Sequence, residues 1–169
     1  MLYCLVEQGV ITDGPKKLPK VWRNVSGLNL LDDESLKVRG WLPYIDSPPA
    51  YDEDLQYLTF VNTINAGNVT ATYTVNDYTA GEMVTRIADA KVARKVAIRR
   101  EAQTIILADY PLWMQANVAN GIYGAGIGDP MKAHIANVIT ESNSCEDAVD
   151  AAITLAAIRA IEPTWPEVI

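Results

Sequence analysis

The chain has 169 residues and a formal net charge of −7 at neutral pH, with 49% hydrophobic and 21% charged residues. That balance excludes a disordered polyelectrolyte, and no apolar run reaches the roughly 20 residues that a membrane-crossing helix needs. A pI near 4.6 disfavours nucleic-acid phosphate as a main partner, because the long-range field of the protein opposes it.

The length allows one domain or two small ones, and a chain of this size buries roughly 70% of its unfolded surface without staples. The N-terminus, MLYCLVEQGVITDG, lacks the basic start and long apolar centre of a signal peptide, so synthesis and use in a cytoplasm are expected. Cys4 and Cys145 lie far apart in sequence and are expected as two buried thiols rather than a disulfide.

In chain order, LYCLVEQ and VITDG flank Gln8-Gly9, which predicts a hairpin with the glycine at the positive-φ position. Pro15 and Pro19 bracket a lysine-rich segment that cannot continue a ladder, so this part is expected at an edge or as an extended arm. The stretch LPKVWRNVSGLNLLDDESLKVRGWLP follows, with Leu-Pro at both ends. Within it Asp32 predicts a helix N-cap, Asp33 and Glu34 suit the positive first turn, and Gly40 suits the position after the helix ends near Arg39. Trp41 and Pro43 are expected to stop that helix sharply, while Trp22, Leu28, Leu30, Leu31, Leu36 and Trp41 form a small apolar knob. Pro48-Pro49 predicts an extended linker.

A second hairpin is predicted where LQYLTFVNTI and VTATYTVND flank Asn65 to Asn68. Val69, Ala71, Tyr73 and Val75 alternate there with Thr70, Thr72 and Thr74, the pattern of a sheet buried on one face. At Thr79 the pattern changes. Thr79 with Glu82 forms a capping-box signature for a helix over about 80–109, ended by Tyr110-Pro111. Further helices are expected at about 112–120, 130–141 and 145–161, the last opened by Ser144. The fold class is therefore α+β, with a β-rich region over 1–78 that includes a short helix near 32–39, and a helical region over 79–169.

Charge divides unevenly. Residues 79–118 carry 6 Lys/Arg against 4 Asp/Glu, while the segments before and after are acidic. Charge complementarity within or between chains explains this pattern, as would a nucleic-acid stripe, which the acidic pI disfavours. Placing Ile87, Ile98 and Ile105 on a heptad seam puts Lys91 and Arg94 in it as well, so no sustained coiled coil is expected. Val92, Val96 and Leu107 lie on the opposite side, which predicts a helix covered on more than one face by other helices or subunits.

Catalytic signatures are weak. Gly124, Gly126 and Gly128 sit in a glycine-rich run that follows a helix, where a dinucleotide fingerprint follows a strand, so an interhelical loop is expected. His134 is the only histidine and is read as an ordinary helix residue. Asp52, Glu53 and Asp54 lack the turn glycine and the further ligands of a calcium loop. No catalytic residue, cofactor or metal is expected.

The ordered set Leu18-Pro19, Trp22 to Ser26, Gly40-Trp41-Leu42-Pro43, Tyr51-Asp52 and Tyr73-Thr74-Val75 resembles small proteins encoded among the tail and tail-fibre genes of tailed bacteriophages. The similarity covers about residues 5–100. It implies a virion protein of the tail, baseplate or fibre attachment, made in the host cytoplasm, working by contact with other virion chains and present as a homo-oligomer or in several copies. It implies no membrane or nucleic-acid partner. An assembly chaperone for tail fibres, absent from the finished particle, is the alternative, and a small hydrolase ranks below both. Pro19, Trp22, Trp41, Pro43, Pro48 and Pro49 are the candidate partner contacts, since proline arms and large aromatics suit protein surfaces. Each tryptophan taken singly also suits the chain's own core.

Overall fold

Strands β1 (Leu2–Glu7) and β2 (Val10–Lys16) open the computed structural model, which describes residues 1–167. They turn through Gln8 at φ 52° and Gly9 at φ 75°, so both central residues take positive φ where the sequence placed only the glycine. This mirror-image turn matches the twist of the flanking strands. Two register irregularities interrupt the pairing of β2 with β1, and β2 lies at the sheet edge, as its proline requires.

The two-residue strands β3 (Val21–Trp22) and β4 (Val25–Ser26) make a small separate ribbon, followed by a 3-10 turn at Leu28–Leu30. Helix α1 (Asp33–Val38) has the expected cap: the Asp32 side chain accepts from the Ser35 backbone N–H at 2.8 Å. Gly40 follows at φ 84°.

What comes next differs from expectation. Trp41 and Pro43 do more than stop a helix, because β5 (Trp41–Ile45) enters the centre of the sheet. Proline is tolerated there for a local reason. Pro43 pairs with Tyr3 on one side, while the ladder to the other neighbour begins only at Tyr44.

Strands β6 (Gln56–Ile64) and β7 (Val69–Asp77) form the second hairpin in unbroken register. The five-stranded sheet runs β2-β1-β5-β7-β6, with β5 and β7 parallel and the other pairs antiparallel. Neighbouring residues send side chains to opposite faces, so Cys4, Leu42, Tyr44, Val69 and Ala71 make one core while Leu5, Trp41, Leu28 and Leu36 make another. Burying a side chain such as Leu28 or Leu36 contributes about 1.5–3 kcal/mol.

The chain divides into two compact units between Tyr78 and Thr79. The second unit begins with α2 (Ala80–Asp109), closed at its start by a reciprocal capping box between Thr79 and Glu82. Helix α3 (Leu112–Ala119) follows Pro111. The helices expected at 130–141 and 145–161 are replaced by one long helix, α4 (Ala125–Ala151), and a short one, α5 (Leu155–Arg159).

The reason is the seam. Met131, His134, Val138, Ser142, Cys145 and Val149 are all buried at steps of three or four, so one packed face runs straight through the apparent cap at Ser144. Burial along the seam outweighs the local capping signal. The glycine run likewise becomes a turn and the start of α4 rather than a loop throughout. Gly128 lies within it, where a Cβ would come 3.0 Å from Val118 Cγ1, so α4 and α3 approach closely at this glycine.

Candidate functional site

Among the six residues proposed as partner contacts, Pro48 and Pro49 are exposed, while Pro19, Trp22 and Pro43 are partly covered. Trp41 has no exposed surface and packs against Leu5, Leu28 and Leu36, so it belongs to the core of its own unit. Trp22 meets it edge to face at 5.9 Å between ring centroids. The Arg23 guanidinium covers the outer face of Trp22 at 4.4 Å and pairs with Glu7. The knob closes around Trp41, Leu28 and Leu36, but Leu30, expected within it, stands 82% exposed outside it. The knob's partly exposed rim is Trp22 with Arg23.

A further exposed apolar surface lies on α2. On α2, Ile87, Ala90 and Ile98 face Cys145, Val149 and Ile158 of α4 and α5. On another side, Val84, Ala88, Val92 and Val96, at steps of four, stand exposed, Val92 at 61%. One expected cover for α2 is thus supplied by α4, and the second is not supplied within the described chain.

The charges of α2 have internal partners. Lys95 Nζ lies 2.8 Å from Asp150 Oδ1, and Arg99 Nε donates to Glu146 Oε1 at 2.8 Å while its second nitrogen holds Oε2. Lys91 donates to the Asp150 carbonyl at 2.8 Å, and Arg94 Nε donates to the Ile161 carbonyl at 3.1 Å. The two charges that break the heptad seam thus bind backbone carbonyls, Lys91 at the last turn of α4, whose final carbonyls lack partners within the helix, and Arg94 in the segment after α5. Complementarity within the chain accounts for Arg94, Lys95 and Arg99 of the basic segment.

Burial constrains the possible chemical groups, as expected for the two thiols. His134 is a helix residue, as expected, and it is buried. Its Nε2 lies 3.1 Å from Asp109 Oδ2, within ion-pair distance, yet it makes no aligned hydrogen bond, and the ring stands against Tyr110. Cys4 and Cys145 are free and buried. Burial pushes both thiols up, and at Cys145 a hydrogen bond to Glu141 adds to it, which disfavours the thiolate that nucleophilic chemistry needs.

Among the described residues no group of three or more His, Cys, Asp or Glu is placed to hold a metal ion, and no helix is long and apolar enough to cross a membrane. Open grooves flank α2 in the second unit. One of about 380 Å³ lies beside Arg100, Glu101 and Trp165, and one of about 430 Å³ lies between Ile106, Leu112 and Ile139. The first is also lined by Thr104, and the second by Ser142 and Glu146.

Comparison of the chain with protein-family models, with curated proteins and with solved structures finds no significant match.

Proposed function

We propose that this chain is a structural protein of a tailed-bacteriophage virion, a component of the tail, baseplate or tail-fibre attachment that works by contact with other virion chains. The observation that carries the reading is the uncovered aliphatic stripe Val84, Ala88, Val92 and Val96 on a 30-residue helix whose other face is already packed. Such a stripe favours a protein partner, because burying it removes apolar surface from water. The internal pairing of Lys95 and Arg99 fits the same reading, since it draws the basic side chains toward α4 rather than toward an external polyanion.

The sequence resemblance contributes the virion. Its anchors Trp22, Trp41 and Tyr73 occupy packing positions of the first unit. They act as determinants of a fold, with Trp22 also presenting a partly exposed rim.

The test is mass spectrometry of purified particles for this polypeptide, together with particles assembled on a Val84→Ser, Val92→Ser, Val96→Ser chain. The protein is expected in wild-type particles, and the triple variant should fold but fail to be incorporated. A chain required for fibre formation yet missing from finished particles would instead establish the assembly chaperone.

A further inference from the structure

The two edges of the five-stranded sheet are built differently. At one edge, β2 carries Asp13, Pro15 and Lys16, and its pairing is broken by two irregularities. Charge, proline and bulges are the devices by which sheet proteins prevent edge-to-edge association. At the other edge, β6 has none of them. Its sequence QYLTFVNTI holds no charge and no proline, it pairs with β7 without a break over nine residues, and Phe60 and Val61 are exposed at 55% and 70%.

The hydrogen-bond phase of this edge follows from its ends. The Asn65 N–H donates to the Asn68 carbonyl at 2.8 Å, and the Tyr78 N–H donates to the Leu55 carbonyl at 2.9 Å. In an unbroken antiparallel register, odd-numbered residues of β6 therefore turn their N–H and C=O groups toward β7. Even-numbered residues, Gln56, Leu58, Phe60, Asn62 and Ile64, turn theirs outward. Their side chains share the face of Tyr73 and Val75, where Phe60 lies 5.6 Å from the Tyr73 ring.

We infer that β6 is a self-association edge, which pairs antiparallel with β6 of a second copy about a twofold axis at Phe60. The strand's middle residue is itself one of the outward-bonding residues, so full overlap is in phase. Gln56 meets Ile64 of the second copy, Leu58 meets Asn62, and Phe60 meets Phe60, giving on the order of ten new backbone hydrogen bonds. Aromatic pairs directly opposite are among the favourable cross-strand contacts, and no like charges face each other along the strand.

Charge at the strand ends selects the antiparallel arrangement. Asp52, Glu53 and Asp54 precede β6, and Asp77 stands opposite Gln56, so that end is acidic. At the other end Lys37 Nζ lies beside the turn, 3.7 Å from where a Cβ on Gly67 would stand. Antiparallel pairing brings the acidic end of each copy to the Lys37 end of the other, whereas parallel pairing would set acid against acid. A second copy of this chain therefore fits the edge by phase, composition and charge.

This inference is independent of the virion reading, and the two fail separately. The experiment is sedimentation of the full-length protein over a range of concentrations, with Phe60→Lys and with Phe60→Cys and Val61→Cys under mild oxidation. Wild type should dimerise, and Phe60→Lys, which sets like charges opposite each other, should weaken the dimer by on the order of tenfold while leaving the circular dichroism unchanged. Phe60→Cys should form a disulfide-linked dimer quickly, because each thiol faces its own copy. Val61→Cys, which faces Thr59 of the second copy, should not. A wild-type monomer at all concentrations would overturn the inference. So would a dimer indifferent to Phe60→Lys, or equal cross-linking from positions 60 and 61, whatever the protein does in particles.

Discussion

Lys95 Nζ lies 2.8 Å from Asp150 Oδ1, tying the middle of α2 to the last turn of α4. The hydrogen bond from Lys95 holds the Asp150 carboxyl below its ordinary 3.8. A depressed carboxylate contributes stability that is present above its unfolded value and is lost as pH falls through its folded one. Glu82, held below 4.5 by the Thr79 hydroxyl and backbone N–H, behaves the same way at the start of α2. Acid titration followed by circular dichroism should therefore show helix content steady down to the ordinary carboxylate range and falling below it. Lys95→Ala should move that transition to higher pH. Lys95→Glu should lower the melting temperature by a few degrees, partly restored by adding Asp150→Lys, because Asp150 is 58% exposed and the attraction is screened by solvent.

Gly40 offers a sharper test of the first unit. Its φ is 84°, and a Cβ there would come within 2.5 Å of the Val6 carbonyl oxygen, while its own carbonyl accepts from the Val6 N–H at 2.7 Å. Gly40→Ala meets both a left-handed backbone and a backbone clash. Urea denaturation should show a loss of about 2 kcal/mol or more, borne by the sheet unit. Gly9 has positive φ too, but nothing lies within 4 Å of its Cβ position, so Gly9→Ala should cost less.

The same contrast explains how far the fold was legible in sequence. Asp32 and Thr79 announce their helices because a cap is a local bond between residues three apart, and both hairpins announce themselves by turn residues between alternating runs. Strand β5 was invisible because it is specified by distant neighbours, Tyr3 on one side and Val69 on the other. The continuity of α4 was missed for a related reason: Ser144 forms a plausible local start, and only the packed seam from Met131 to Val149 overrides it. Of the candidate contacts, Pro48 and Pro49 are exposed and lie outside regular structure, whereas Trp41 is enclosed by Leu28 and Leu36. The stripe on α2 was legible in Val92 and Val96. The phase of the β6 edge was not, because it depends on pairing with β7.

His134 carries a consequence that its sequence context did not. It is 4% exposed between Tyr110 and Asp109, so His134→Ala opens a cavity beside a carboxylate. A loss of about 2 kcal/mol in chemical denaturation is expected for the helical unit. Association with partners, measured below the unfolding transition, should be unchanged. Loss of association without loss of stability would give the imidazole a direct role in contact.

Tyr73 allows a test at the alkaline end. Its hydroxyl donates to Asp46 Oδ1, and that bond, helped by burial and by the charge of Asp46, pushes the phenol up to about 12. A raised phenol favours the folded state while it stays protonated, so the contribution is fully present below the ordinary 10.0 and is lost as pH rises through about 12. Tyr3 and Tyr44 are also pushed up, each first by burial, so the total tyrosinate signal cannot isolate Tyr73. The difference between wild type and Tyr73→Phe can. Read in the first milliseconds after a pH jump, before alkaline unfolding, the difference should show a phenol ionising near 12. In an Asp46→Asn background the same difference should move toward 10.0, since the carboxylate acceptor and its charge are removed while the side chain keeps its size. A Tyr73 signal already near 10.0 in the wild type would mean that the bond to Asp46 does not form in solution and that the Ile45 to Pro48 segment is not held to β7 there.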